Sequence, residues 1–249
     1  MSFNVYPIDG RYHNVLLSKL CAKSAELIDP HLQRVTLVKS QVLYEDDTPM
    51  DSIYFIESGL ATLMVDTGDN VRVQVGMVGR EGFVGTVSMF DGDLRALHRT
   101  VVQIAGTALR ISQPRFQKAI EELPDLKPIC MRHSKASTLQ ISQLAGCNVR
   151  HSIPQRLSRV ILMVQDRVGG TRVVLTQEDL AAMLGVRRAG ISVAIGDLEG
   201  LEVLRQARGF LEITDRAKLE RCACRCHDMI IDRQCRIMDV PLPPRLELS

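Results

Sequence analysis

The sequence lacks the features that mark exported, membrane-spanning and catalytic proteins. No apolar run approaches the roughly 20 residues of a membrane span, and the first ten residues lack the basic stretch and apolar run of a secretory leader. The chain has no GxSxG sequence, no P-loop and no paired-carboxylate arrangement, and its histidines are too scattered for a cupin-like metal oxygenase. We therefore expect a cytoplasmic protein with no membrane partner that is not an enzyme.

The sequence also has little net charge and no cysteine pattern typical of a disulfide framework. The net charge of +2 is too small to indicate nucleic-acid binding, so such a role must rest on a local motif. The seven cysteines are odd in number and unevenly placed, which favours reduced thiols over a disulfide framework. A length of 249 residues with 45% hydrophobic residues indicates a globular chain of two domains.

The first half of the chain has the pattern of a β-rich domain. Between residues 33 and 112, short apolar or alternating runs are separated by turn residues. The runs that we predict to be strands are residues 51–57, 60–65, 71–75, 98–104 and 107–111. Six to eight short antiparallel strands would close into a barrel or roll, which is usually a binding module or a scaffold.

A long helix is predicted next, from Leu126 to Cys147, because apolar residues recur there at helical spacing with few breakers. Its other side is rich in Ser and Gln and could pack against the same helix of a second copy, although packing on the chain's own roll is the alternative. Residues 148–154 form a predicted hinge, in which Ser152 can cap the following helix and Pro154 fits its first turn. We place a domain boundary near residue 150.

Residues 176–199 have the pattern of a helix-turn-helix. Thr176 and Asp179 form a capping box for a helix that continues through Leu184, and Gly185 permits a sharp turn. Residues 186–199 then resume helical periodicity. Residues 203–213 alternate and turn at Gly209, as the small hairpin of a wing would.

Arginines stand where such a motif meets DNA. Arg187 and Arg188 open the second helix, and an arginine there can donate two hydrogen bonds to guanine, worth roughly 1–3 kcal/mol of discrimination. We predict that Arg188 reads bases. The candidates for phosphate, sugar or water-mediated contacts are Thr176, Gln177, Arg187, Ser192, Arg205 and Arg208. Simple solvation of the two wing arginines is the alternative.

The segment 175–214, with the run from Leu180 to Arg188, resembles the DNA-binding domain of the Crp/Fnr family of regulators. Residues 53–60 and 79–85 are similar to the cyclic-nucleotide-binding roll of that family. The resemblance implies an α+β chain with an N-terminal antiparallel β-roll, a long dimerisation helix and a C-terminal winged helix-turn-helix. The domains would be an effector roll (1–125), the helix and hinge (126–150), the DNA-binding domain (151–221) and a Cys-rich tail (222–249).

The function implied by this resemblance is that of a transcription regulator. A homodimer would bind a palindromic site in double-stranded DNA and contact RNA polymerase, with the roll controlling the geometry of the recognition helices. The family's glutamate after the recognition arginine is Ala189 here, so we expect a variant half-site. The alternatives are a cyclic-nucleotide-binding signalling protein and an effector-independent or redox-responsive regulator.

The effector site departs from the family pattern. Members that bind cyclic AMP use a Gly-Glu pair and an Arg-Ser pair, whereas here Gly85 precedes Thr86, and Arg99-Thr100 would have to supply the second pair. Ser142 falls near the position that contacts the base. We therefore do not expect cyclic AMP as the effector, which stays unknown.

Iron cofactors receive little support from the sequence. We do not expect an iron-sulfur cluster, because Cys21 is the only cysteine before or within the roll. For haem, one histidine could serve as a ligand, and none of the four candidates stands out. These candidates are His13, His31, His98 and His133.

Four of the seven cysteines lie in the C-terminal tail: Cys222, Cys224, Cys226 and Cys235. If the segment is helical, Cys222 and Cys226 share a face and Cys224 points elsewhere, so three thiols cannot converge unless the helix breaks. We therefore predict no metal site there.

Overall fold

The structure, a computed structural model, describes residues 10–68, 71–85 and 94–241. Within these ranges the chain forms two compact units. The first comprises residues 10–65 and 76–138, and the second comprises residues 66–68, 71–75 and 139–241. The chain contains both helices and an antiparallel sheet, as the predicted α+β class requires.

The roll is a six-stranded antiparallel sheet in which β1, β6, β3 and β4 lie side by side, while β2 pairs with β6 and β5 pairs with β3. Its strands are β1 (Gln33–Leu37), β2 (Val42–Tyr44), β3 (Ser52–Asp66), β4 (Arg72–Val78), β5 (Phe83–Val84) and β6 (Arg99–Ser112). Inward-facing apolar side chains form its core, among them Leu37, Ile56, Val102 and Ala108, which are fully buried.

Two of the strands are longer than the sequence predicted. The runs 51–57 and 60–65 belong to one 15-residue strand, β3, and the runs 98–104 and 107–111 belong to one 14-residue strand, β6. Register shifts between Ile56 and Ala61 replace the expected turn. At the closest approach of the two strands, a Cβ on Gly59 or Gly106 would collide with the opposite backbone. These glycines therefore permit a bulged but continuous pairing.

Before the roll, the chain forms a short 3₁₀ turn (Leu17–Lys19), the helix α1 (Ala22–Ile28) and a second 3₁₀ turn (Asp29–His31). The fully buried Asn14 side chain fixes this segment. Its Nδ2 donates to the carbonyls of Ile56 at 2.8 Å and Gly82 at 2.7 Å. Its Oδ1 accepts from the amides of Leu16 and Leu17. Every polar atom of the amide therefore has a partner.

After the roll, the chain is helical: α2 (Gln113–Glu122), α3 (Leu126–Arg150) and α4 (Ile153–Val168). The predicted long helix is confirmed and ends at Arg150 instead of Cys147. Ser152 precedes α4, and its amide donates to Gln155 Oε1 at 3.1 Å. Pro154 lies in the first turn of α4, as predicted, where an amide proton is not needed.

The winged-helix region follows α4. Its elements are β7 (Arg172–Val173), α5 (Gln177–Leu184), α6 (Arg188–Gly200), β8 (Leu204–Ala207), β9 (Phe210–Ile213), α7 (Arg216–Cys222) and α8 (Cys226–Met238). The three strands form a sheet in the order β7, β9, β8. The strand β7 has only two residues and ends at Val173.

A buried ionic cluster joins α4 to the C-terminal helices. The fully buried carboxylate of Asp166 accepts hydrogen bonds from Arg216 at 2.7 Å and from His227 Nε2 at 2.8 Å. Burial disfavours the charged form of each partner, but the hydrogen bonds between them favour it. The pKa of Asp166 is consequently lowered, and hydrogen bonds to Asp166 and Asp228 raise the pKa of His227 to about 9.

Candidate nucleic-acid interface

The helix-turn-helix is formed by α5, a tight turn and α6. The side chain of Thr176 accepts a hydrogen bond from the amide of Asp179, and the Asp179 carboxylate accepts one from the amide of Thr176, so the predicted capping box is confirmed. Gly185 ends α5 in the left-handed region, with φ of 64°. The amide of Val186 then donates to the carbonyl of Ala181 at 3.1 Å, which closes the turn.

Buried apolar side chains fix the angle between the two helices. Leu180, Ala181 and Leu184 of α5 and Ile191 and Ile195 of α6 are each at most 7% exposed. The small side chain of Ala181 permits the two helices to cross closely. The opposite faces of α5 and α6 remain in contact with solvent.

The two arginines occupy different positions at the start of α6. Arg188 is the first helical residue, whereas Arg187 precedes the helix as its N-cap with extended backbone, so the prediction that both open the helix is wrong for Arg187. The Arg188 side chain is 65% exposed, and its Nε lies 3.7 Å from Glu178 Oε1. Ser192 is exposed one helical turn further along α6.

The wing closes one side of a cleft next to these residues. The cleft has a volume of about 370 Å³ and is lined by Thr176, Gln177, Glu178, Arg188, Gln206 and Arg208, among others. Gln177 Nε2 donates to Gln206 Oε1 at 3.0 Å, which links the start of α5 to β8. Gly209, with φ of 86°, forms the tip of the wing beside the exposed Arg208. Arg205 is exposed on β8.

Sequence reasoning missed Glu178, Gln206 and Glu199 as parts of this surface. Glu178 pairs with Arg188, and Glu199 Oε1 accepts a hydrogen bond from the amide of Gln206 at 2.7 Å. A signal for Glu178 was available, because it lies beside the capping Thr176 in the first turn of α5. Gln206 and Glu199 gave no such signal, since their contact depends on how the wing packs on α6.

The residues predicted for the effector site differ in burial and in their contacts. The Arg99 Nε lies 2.8 Å from Glu45 Oε2, and Thr100 is only 2% exposed in β6. Gly85 follows β5 with φ of 102°, and Thr86 lies outside the described residues. Ser142 is exposed on the part of α3 that belongs to the other compact unit.

Of the four histidines considered for haem, His133 is buried and its Nε2 lies 3.0 Å from the carbonyl oxygen of Phe83. The ring centroids of these two residues are 5.0 Å apart. Burial lowers the pKa of His98. His13 and His31 are exposed.

The C-terminal cysteines do not lie on one helix, so the condition under which their thiols were expected not to converge is not met. Because α7 ends at Cys222 and α8 begins at Cys226, Cys224 lies between them, 4% exposed and beside Cys147. The hydrogen bond with Cys224 lowers the pKa of Cys147 to about 5, against the effect of desolvation. Cys235 is buried on α8.

Two family models match the chain. The cyclic nucleotide-binding domain matches residues 34–122, and the Crp-like helix-turn-helix domain matches residues 155–222. The HTH-type transcriptional regulator Cmr of Mycobacterium tuberculosis is 26% identical over 187 residues, which cover 74% of this chain and 73% of that protein. The CRP-like cAMP-activated global transcriptional regulator of the same species is 22% identical over 199 residues, covering 77% of this chain and 88% of the relative.

Solved structures share the fold. FixK2 from Bradyrhizobium japonicum has a TM-score of 0.67 at 13% identity, with 78% of this chain and 98% of that chain covered. The c-di-GMP responsive global regulator CLP of Xanthomonas campestris has a TM-score of 0.60 at 16% identity, with 78% and 99% covered. In the described part of the chain, no helix has the length and apolar character needed to cross a membrane.

A nucleotide-binding-like roll followed by a long helix and a winged helix-turn-helix defines a DNA-binding transcription regulator. The chain belongs to the Crp/Fnr family of transcription regulators. The predicted family and fold class are thereby confirmed. The relatives compared above are regulators and not enzymes.

Proposed function

We propose that the protein binds a palindromic site in double-stranded DNA as a homodimer and that Arg188 is its principal base-reading side chain. The position of Arg188 carries this proposal. It is the first residue of the second helix of the motif, 65% exposed, with Ser192 exposed one turn further on. The first residues of a recognition helix are those that meet base edges in the major groove.

The ion pair between Arg188 and Glu178 does not prevent this contact. Both side chains are largely exposed, and their closest atoms are 3.7 Å apart. Such a surface pair contributes roughly 0.2–1 kcal/mol, whereas a bidentate arginine-guanine contact gives roughly 1–3 kcal/mol of discrimination. Guanine therefore replaces Glu178 as the partner of Arg188 in the complex.

The remaining polar groups around the cleft position the protein on the DNA backbone. Arg187, Arg205 and Arg208 are exposed cations on the same motif, and Thr176 and Gln177 lie at the start of α5. A helix N-terminus favours phosphate, and each arginine contact to phosphate releases counterions. We assign these residues to contacts that set affinity and salt dependence instead of base choice.

Dimerisation through α3 would place the two recognition helices in successive major grooves, roughly 34–36 Å apart. Two apolar side chains on α3 support such packing, because Met131 is 48% exposed and Val149 is 91% exposed.

The roll then controls recognition-helix geometry in response to an effector other than cyclic AMP. Arg99 is held by Glu45, and Thr100 is buried in the sheet, so this pair does not present the open phosphate site that cyclic AMP requires. The relative described as cAMP-activated shares the fold but does not define the ligand of this chain. We propose further that the regulator acts in the cytoplasm through contact with RNA polymerase.

Selection of bound sequences from random duplex DNA tests this function, with the wild type compared with Arg188→Ala. The matched control is Arg236→Ala, which removes an exposed arginine on α8, an element outside the helix-turn-helix and the wing. A palindrome selected by the wild type and by the control, but not by Arg188→Ala, supports the proposal. Sequence-blind binding by all three proteins contradicts it. Sedimentation of the protein-DNA complex reports whether two chains bind each site.

A further inference from the structure

Four side chains with metal-binding atoms converge at the end of α3. Cys147 and His151 come from its last turn and the residue after it. Cys224 lies in the connection of α7 to α8, and Cys226 is the first residue of α8. One ligand atom of each lies within 4.8 Å of the other three. The sulfurs of Cys147 and Cys224 are 3.4 Å apart, and Cys226 Sγ is 3.7 Å from His151 Nδ1. We propose that these four side chains form a tetrahedral Cys₃His site for one Zn²⁺ ion.

These distances fit the size of a single zinc ion. Zinc binds thiolate sulfur at about 2.3 Å and imidazole nitrogen at about 2.0–2.1 Å, so tetrahedral angles place two sulfurs about 3.8 Å apart and a sulfur and a nitrogen about 3.6 Å apart. The observed separations of 3.4 and 3.7 Å need only small side-chain rotations to reach these values. A multi-iron cluster distributes its ligands over separate irons and needs a wider cage.

The chain builds the site from two short motifs. Cys147 and His151 are four residues apart and share a face, and the amide of His151 still donates to the carbonyl of Cys147 at 3.1 Å. Ala223 has extended backbone between α7 and α8, which separates Cys224 and Cys226 from the helical path of α7. All three cysteines are at most 4% exposed. Two short segments of the chain therefore supply all four ligands.

Two buried guanidinium groups can offset the net negative charge of the site when zinc is bound. Arg156 and Arg159 on α4 are 8% and 2% exposed, and their Nε atoms have no hydrogen-bond partner among the described residues. Arg159 interacts electrostatically with Cys147, and Arg156 interacts with Cys147 and Cys224. Three thiolates around a divalent cation carry one net negative charge. The two arginines therefore stabilise the net charge of a loaded site.

Occupancy would join two segments that are 77 residues apart in sequence, the end of α3 and the connection of the C-terminal helices. Gln143 Nε2 donates to Cys226 Sγ at 3.2 Å and supplies an outer hydrogen bond to a ligand. An ion bound only by the folded state raises the unfolding temperature as its concentration increases. Zinc would therefore stabilise the unit that carries the winged helix.

The test is the metal content of the reduced full-length chain, purified without metal-affinity resin. We expect one zinc per chain by mass spectrometry and, after exchange with Co²⁺, the absorption bands of tetrahedral cobalt with thiolate ligands. In competition with a chromophoric chelator, Cys224→Ser should weaken zinc binding by more than about tenfold. The matched control Cys222→Ser, two residues away and outside the ligand set, should bind zinc like the wild type.

A second readout on the wild type does not depend on the folding of a variant. Added zinc should slow alkylation of Cys147, Cys224 and Cys226 but leave the rate at the exposed Cys21 unchanged, and it should raise the unfolding temperature. Two results would overturn the proposal. One is reduced, folded protein that holds less than about a tenth of a zinc per chain after zinc is added; the other is bound zinc that leaves all thiol rates unchanged.

Discussion

Replacement of Asp166 by Asn removes the charge at the centre of the buried cluster on α4 while keeping the size of the side chain. The carboxylate is fully buried and accepts hydrogen bonds from Arg216 at 2.7 Å and His227 at 2.8 Å. A neutral amide leaves the Arg216 cation buried, with only its contact to Glu220 at 2.8 Å retained. His227 loses its proton, because the carboxylate that raises its pKa is gone. The destabilisation should therefore be that of a broken buried ion pair, about 3–5 kcal/mol.

A loss of this size is a large part of the roughly 5–15 kcal/mol by which a folded domain is stable. At about 2–4 °C per kcal/mol for a chain of this size, the unfolding temperature should fall by about 6–20 °C. Urea unfolding monitored by circular dichroism, together with calorimetry, measures both quantities. The control is Asp197→Asn, which changes an exposed carboxylate on α6 and should stay within about 0.5 kcal/mol of the wild type.

Removing the two cations as well tests whether the lost stability comes from unpaired charge or from altered packing. The variant Asp166→Asn with Arg216→Met and His227→Leu has no buried charge left in this cluster, so it should recover much of the lost stability. If Asp166→Asn alone costs less than about 1 kcal/mol, the carboxylate does not compensate the two cations and our account of this cluster is wrong.

Three further predictions concern the DNA-binding face and the roll. Glu178→Gln removes the competing partner of Arg188 and should tighten DNA binding by about 1.5- to 5-fold in fluorescence anisotropy; weaker binding would contradict the proposed exchange of partners. Asn14→Asp places a carboxylate against two carbonyl oxygens and should cost about 3 kcal/mol in urea unfolding, and a neutral result would refute the assigned hydrogen bonds. Gly209→Ala forces a side chain into a φ of 86° and should destabilise the wing by about 1–2 kcal/mol, seen as faster amide exchange in β8 and β9. The same change at Gly200, which has no such φ, should leave wing exchange unaltered.

Local features of the chain were predictable from the sequence. The capping box of Thr176 and Asp179, the turn at Gly185 and the hairpin at Gly209 each depend on residues within a few positions of one another. The long helix of residues 126–150 likewise follows from its apolar period and lack of breakers. These short-range rules were enough to predict the winged helix and its exposed Arg188.

Pairing over long sequence distances was not predictable in the same way. The glycine-containing segments of β3 and β6 have turn composition, yet each becomes part of one strand because the opposite strand approaches too closely to admit a side chain. The opposite strand determines the path of the backbone there, and no pattern in the local sequence indicates which strand lies opposite.

The sequence by itself determined the long helix, the helix-turn-helix with its wing and the exposure of Arg188, because caps, periodicity and turn residues act over a few positions. Only the tertiary structure decided which distant groups meet. Asp166 meets Arg216 and His227, and Cys147 meets Cys224, across 50 to 77 residues. Those contacts follow from helix packing and from the break between α7 and α8. Packing brings together side chains that are far apart along the chain.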